Sequence, residues 1–334
     1  MKFLNFFLII ILTSASLILF KQFKPSPASP SHPLSPHPLS IEYLKAGEYP
    51  GSDLNFEEEL PPRSNYQRFL VSYQSEGLKI YALLTIPNED PPEDGWPAIV
   101  FNHGYIPPKE YKTTERYAAY TDAFSRAGYV LIRPDYRGHG DSEGKAQGAY
   151  GSNSYAIDIL NAIASIKKYP KVNPKKIGLW GHSMGGFITL RVMVVSKDIK
   201  AGVIWAGVVA SYDDLFSGWR RSSPPPPGIQ SARSSKWRQL LYEQYGTPKQ
   251  NPFFWNKLSA NFYLSDLAGP LQLHHGTADS SVPAEFSQKL EKQVKEAGKK
   301  VELFIYEGDD HNITNNLKVA LQRSVEFFDK YLMN

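Results

Sequence analysis

The chain has 334 residues, of which 42% are hydrophobic and 21% charged, enough apolar material for one large buried core. Its net charge of +4 is spread out, and the densest basic run, Lys167 to Lys176, is broken by Pro170 and Pro174. No basic stripe with interleaved aromatics results, so nucleic acid is not an expected partner. Cysteine is absent, which excludes disulfides, thiolate metal sites and cysteine nucleophiles and leaves the redox compartment open.

Phe3 to Phe20 is uncharged and apolar, with Lys2 before it and Lys21 and Lys24 after it. About eighteen such residues suffice for a short membrane-crossing helix, so residues 1–24 are expected to form a retained anchor. A cleaved signal peptide is the competing reading, with small residues at Thr13 to Ser16. Residues 25–40 alternate proline with serine and small residues, as a semi-rigid spacer does. Together they predict an exported or membrane-anchored protein whose domain, residues 41–334, is extracytoplasmic. Too few flanking lysines are present to fix orientation, and the oligomeric state is not legible.

Tyr66 to Tyr73 and Leu78 to Ile86 predict an antiparallel pair about Ser75-Glu76-Gly77. Ala98 to Asn102 is a short continuous apolar run, as a strand buried on both faces requires. Thr113 to Ala127 has helical spacing, with Tyr117, Tyr120 and Phe124 on one face and Gly128 as the stop. Strands at Tyr129 to Arg133, Lys176 to Trp180 and Ala201 to Trp205 alternate with helices at Ser154 to Tyr169 and Met184 to Ser196. That alternation predicts an α/β fold with a mostly parallel sheet covered on both faces.

From 211 to 263 the alternation stops. This stretch holds Pro224 to Pro227, the basic residues Arg220, Arg221 and Arg233, and the aromatics Trp219, Trp237, Phe253, Phe254 and Trp255. Long aromatic insertions tend to be functional, so it is read as a cap. Trp219, Trp237 and Trp255 are candidates for the substrate pocket, the alternative being that they form the cap's own core. Alternation resumes with strands at Leu271 to His274 and Val301 to Tyr306, and helices at Ala284 to Ala297 and Ile313 to Leu332.

Gly181-His182-Ser183-Met184-Gly185-Gly186 joins the strand ending at Trp180 to the next helix. In that context G-x-S-x-G reads as a nucleophile elbow, whose small residues permit a strained turn that lifts the serine above the sheet. A hydroxyl needs a base, and chain order Ser, acid, His selects Asp279 and His311, each in a loop after a strand's carboxyl end. Asp309 and Asp310 are alternative acids, and Asp279 has the alternative role of a helix-start acceptor. His274 and His275 read as strand-end packing. The oxyanion donors are assigned to the amides of Tyr105, after His103-Gly104, and Met184. The charges of Arg133 to Ser142 are expected to pin a loop near the site. Neither H-E-x-x-H nor another metal-ligand spacing is present, so no metal is expected.

Taken in order, HGY, DYRGHGDS, GHSMGG, HGTADSSVP and GDDHN resemble the catalytic domain of prolyl oligopeptidase-like serine hydrolases of the α/β-hydrolase fold. The resemblance covers roughly Tyr66 to Leu332. It implies Ser183, Asp279 and His311 as the triad, no cofactor, and a small ester or short peptide as substrate. The larger oligopeptidases carry a propeller ahead of this domain, for which the region before Tyr66 is too short. Dienelactone hydrolases proper use a cysteine, which this chain lacks. A carboxylesterase on small acyl esters is the alternative, and a membrane-tethered scaffold with a blocked triad is the rival of another class.

Overall fold

The computed structural model describes residues 35–217, 219 and 231–333. The apolar N-terminal segment, the spacer up to Leu34, Arg220, Arg221 and the run Pro224 to Pro227 lie outside the described residues, as does the side chain of Arg233. No described helix is long and apolar enough to cross a membrane.

The chain opens with α1 (Ile41–Ala46), then the strands β1 (Asn55–Leu60), β2 (Tyr66–Ser75), β3 (Leu78–Pro87) and β4 (Trp96–Asn102). Next come α2 (Ala118–Arg126), β5 (Val130–Pro134), α3 (Ser154–Lys168), β6 (Val172–His182), α4 (Met184–Met193) and β7 (Ile199–Trp205). Three helices, α5 (Tyr212–Ser217), α6 (Ser231–Tyr245) and α7 (Pro252–Leu258), precede β8 (Leu271–Gly276), α8 (Ala284–Glu296), β9 (Val301–Tyr306) and α9 (Leu317–Phe328).

The strands form one sheet in the order β1-β2-β3-β5-β4-β6-β7-β8-β9. β1, β2 and β3 are antiparallel, β3 meets β5 antiparallel, and every pair from β5 onward is parallel. Between β5 and β6 the winding reverses at β4, which puts a crevice beyond the carboxyl ends of β4 and β6. The period-two geometry of a strand sorts β4 between two cores. Ala98 and Val100 pack with α3 and α4, whereas Ile99 and Phe101 pack with Phe124 of α2 and Phe328 of α9. Apolar on every side, α4 is buried along its whole length.

Several boundaries differ from the sequence reading, each for a local reason. Residues 36–40, read as spacer, belong to the compact unit Pro36–Asn334. There Leu39 and Ser40 are buried, and the wholly buried Arg191 guanidinium donates to the Leu39 carbonyl at 2.6 Å. β1 was not foreseen because Asn-Phe-Glu-Glu-Glu-Leu has no apolar alternation; it is an exposed edge strand blunted by charge. α2 starts at Ala118 rather than Thr113 because Arg116 and Tyr117 are left-handed, with φ of 57° and 54°. The last helix starts at Leu317 rather than Ile313. Buried Asp309 accepts the amides of Asn315 at 2.8 Å and Asn316 at 3.1 Å, and Ile313 is left-handed.

Candidate active site

Ser183 follows β6 with φ 55° and ψ −118°, a conformation that costs an ordinary residue about 1–3 kcal/mol. Glycine makes it sterically possible. A Cβ on Gly185 would overlap the Asn102 carbonyl, and one on Gly186 would come within 2.7 Å of the Gly207 Cα. The backbone is held as well, with the Ser183 amide donating to Trp205 O at 3.0 Å and its carbonyl accepting from Val208 at 3.1 Å. At the first position of α4, the amide of Met184 has no carbonyl four residues earlier within the helix to bond, as for any helix start.

On the loop after β9, His311 turns Nδ1 to Asp279 Oδ2 at 2.7 Å. The Asp279 side chain is fully buried and every acceptor position is engaged. Its Oδ1 takes the amides of Ser281 at 2.8 Å and Val282 at 2.9 Å, while Oδ2 is also met by His275 Nε2 at 3.1 Å. Burial raises the affinity of this carboxyl for a proton, but the bonds from His275 and His311, the charge of His311 and the Val282 amide outweigh it. The group is held well below the usual carboxylate range. Asp279 is therefore both turn acceptor and histidine partner, two roles the sequence reading set as alternatives.

The other acids are engaged elsewhere. Asp309 caps the entry to α9, and Asp310 accepts from Asn312 N, Thr314 N and the Thr314 hydroxyl. His275, read as packing, is buried but touches the acid directly. Its Nδ1 faces Ser287 Oγ at 2.7 Å, and its Nε2 faces Asp279 and Val282 O. Because both of those partners are acceptors, the proton resides on Nε2. A histidine four residues before the acid was the only signal in the sequence.

His311 follows the edge strand β9 and Ser183 the interior strand β6, and His182 joins them. Its Nε2 lies 3.0 Å from the His311 carbonyl, and the two rings have centroids 4.7 Å apart. Across the crevice, a Cβ on Gly104 would sit 3.2 Å from Ser183 Cβ, so the loop His103-Gly104-Tyr105 approaches the elbow closely. Tyr105 is 38% exposed, and Met184 is buried.

The charged loop after β5 behaves as a brace. Arg137 grips the fully buried Asp158 through Nε, Nη2 and its amide, and Arg133 donates to the carbonyls of Thr113, Glu115 and Arg116. Of the three tryptophans, Trp255 is buried with Nε1 on Gly246 O and sits among Tyr212, Phe216 and Tyr242. Trp237 joins the same cluster through Phe216 and Tyr212. Trp219 alone turns to the site, donating to Ser281 O at 2.9 Å and standing near Tyr150 and Phe286. The expectation of three tryptophans around one pocket is thus corrected: two pack the cap, and one borders the acid loop.

A profile of the serine aminopeptidase family, S33, matches residues 97–246, and one of the prolyl oligopeptidase family matches residues 228–334. The chain has the α/β-hydrolase fold, and over residues 97–334 it is similar to these two serine peptidase families. The chain is 24% identical over 255 residues to the uncharacterized peptidase YtmA of Bacillus subtilis, covering 75% of this chain and 88% of YtmA. The Pyrococcus horikoshii acylaminoacyl peptidase superposes with a TM-score of 0.63 at 24% identity, over 80% of this chain and 42% of that one. Est1E of Butyrivibrio proteoclasticus, solved with ferulic acid bound, superposes with a TM-score of 0.61 at 20% identity, over 79% of this chain and 99% of its own. The chain thus spans nearly all of YtmA and Est1E but less than half of the acylaminoacyl peptidase.

Proposed function

We propose that Ser183, His311 and Asp279 act as nucleophile, base and orienting acid in the hydrolysis of short peptides bearing an apolar group. The observation that carries this reading is the 2.7 Å contact of His311 Nδ1 with buried Asp279, on the loop tied to the serine's elbow by His182. Asp279 fixes the Nδ1–H tautomer and leaves Nε2 free to take the Ser183 proton as Oγ attacks the carbonyl carbon. The amides of Tyr105 and Met184 then stabilise the oxyanion. Collapse breaks the bond to the leaving amine, which takes the proton from His311. Water then cleaves the acyl-enzyme by the same steps in reverse order. No cofactor is invoked at any step.

A peptide is placed ahead of an ester because the profile matches and YtmA are peptidase in description. Carboxyl esters follow the same path with an easier leaving group. Trp219, Tyr150 and Phe187 form one aromatic cluster that reaches Ser281 of the acid loop, which supports an apolar acyl group. We also propose, from the uncharged stretch Phe3 to Phe20 and the prolines after it, that the domain is exported or membrane-anchored and works outside the cytoplasm. Its test is fractionation of the full chain, and recovery in the cytoplasmic fraction would refute it.

The activity test treats the full chain and its Ser183→Ala variant with a fluorophosphonate, followed by p-nitrophenyl acyl esters and aminoacyl or prolyl anilides. Labelling of wild type alone and turnover of anilides support the proposal. Ester turnover without anilide turnover would make it a carboxylesterase, and a folded but unlabelled wild type would refute the triad.

A further inference from the structure

We propose that Tyr117 and His182 are positioning residues that tie the oxyanion loop and the catalytic-base loop to the serine elbow through one hydrogen-bonded row. The inference rests on the triad reading and goes beyond it to two residues outside the triad. Tyr117 Oη lies 2.9 Å from the Gly104 amide and 2.8 Å from His182 Nδ1, and His182 Nε2 lies 3.0 Å from the His311 carbonyl.

The ends of this row dictate every proton between them. An amide N–H can only donate, so Gly104 gives its hydrogen to the Tyr117 oxygen. The phenolic hydrogen must then point to His182 Nδ1, which has to be bare. His182 is left with its proton on Nε2, and that proton meets a carbonyl, which can only accept. One neutral tautomer satisfies all three contacts, and charging the ring would break the first histidine bond. Burial, together with the neighbouring His311, keeps His182 neutral by pushing its pKa down to about 3.

Three segments far apart in sequence are joined this way: Gly104 after β4, His182 beside the nucleophile, and His311 after β9. Committing the Gly104 amide to Tyr117 fixes the peptide next to Tyr105, whose amide is assigned to the oxyanion. Anchoring the His311 carbonyl holds the base from its backbone, while Asp279 holds it from its ring. Tyr117 itself is held in place at some conformational cost. It and Arg116 are consecutive left-handed residues, and the Arg133 guanidinium secures that bend through the Glu115 carbonyl at 3.0 Å and the Arg116 carbonyl at 2.7 Å. Its ring is also packed edge-on against Phe101.

The test compares Tyr117→Phe, His182→Asn and His182→Gln with wild type and Ser183→Ala, all as full chains. kcat and KM for a p-nitrophenyl ester, the fluorophosphonate labelling rate and the melting temperature are measured. Tyr117→Phe keeps the ring and loses the row; kcat and labelling should fall about 10- to 100-fold, the scale of a base displaced by an ångström, with KM within about threefold. A glutamine amide reaches the position of Nε2 and can still donate to the His311 carbonyl, whereas an asparagine amide stops at the position of Nδ1. His182→Gln should therefore retain clearly more kcat than His182→Asn at similar melting temperature, an order that packing alone would not produce. If Tyr117→Phe fails to fold, that glutamine–asparagine order decides the matter. A labelled wild type with Tyr117→Phe, His182→Gln and His182→Asn all near its kcat would overturn this inference alone. An unlabelled wild type would overturn the triad and the inference with it.

Discussion

Replacing Asp279 with asparagine tests the site's logic sharply, because the structure decides which way the amide must face. Oδ1 of Asp279 accepts two backbone amides, from Ser281 and Val282, and neither can turn into an acceptor. The asparagine oxygen has to stay with them, so its NH2 faces His311 Nδ1 and His275 Nε2. His311 Nδ1 then becomes an acceptor, its proton moves to Nε2, and that nitrogen can no longer take a proton from Ser183. The same exchange in a serine protease lowers kcat about 10⁴-fold, equivalent to ~5 kcal/mol at ~1.4 kcal/mol per decade. A loss of that order is expected for Asp279→Asn, measured as kcat on a p-nitrophenyl ester with near-unchanged circular dichroism. Asp309→Asn is the matched control: it loses bonds to the start of α9 and should melt lower while keeping kcat within about threefold, as an interaction away from the reacting atoms does. Asp279→Asn within tenfold of wild type would refute the tautomer argument.

Gly104→Ala puts a Cβ 2.8 Å from Tyr117 Oη and 3.2 Å from His182 Nδ1; overpacking of about 1–3 kcal/mol should appear as a lower kcat in the ester assay. Arg191→Met strands the Leu39 and Leu258 carbonyls and Asn153 Oδ1, all now bonded to a buried cation, and should cost about 1–3 kcal/mol per acceptor left unsatisfied, read as a fall in denaturation midpoint. Trp255→Ala should destabilise by about 3–5 kcal/mol in the same assay, whereas Trp219→Ala should instead raise KM for apolar esters. Acid should weaken the fold. Burial pushes His103, His182 and His274 down to about 3 and His139 to about 4, so the unfolded chain takes up protons that the folded one refuses. Their contribution is complete above the ordinary histidine value of 6.5 and declines below it, reaching on the order of 2 kcal/mol lost per histidine at pH 5. Asp135, raised to about 7 by burial, and Asp158, also raised by burial, work in the opposite direction but are two groups against four. Melting temperatures between pH 7 and pH 5 check the sign, and a flat or rising profile toward acid would contradict it.

The parts legible in the sequence were those written in contiguous residues. A buried strand reads as an unbroken apolar run, and a nucleophile elbow reads as glycines around a serine, because each demand falls on neighbours in the chain. The parallel sheet and the elbow at Ser183 were legible for that reason. β1 was not, since an edge strand of three glutamates is shaped by the need to repel other edges and carries no buried face to pattern it. The start of α2 was misplaced because Tyr117 fits a helical face by spacing, yet the Arg133 guanidinium from β5 holds the bend before it.

Nor could spacing disclose what His182 and His275 do. Both are histidines beside motif residues, and a histidine's role depends on which nitrogen carries the proton, which its partners decide. For His275 those partners are Asp279, Val282 and Ser287; for His182 they are Tyr117 and a carbonyl 129 residues further along the chain. The motif supplies a serine that can be strained and a histidine that can be a base. Holding that base over that serine requires donor and acceptor directions to agree across three loops. This agreement belongs to the folded arrangement, so substitutions that respect size but change proton direction, such as Asp279→Asn and Tyr117→Phe, should damage catalysis far more than they damage the fold.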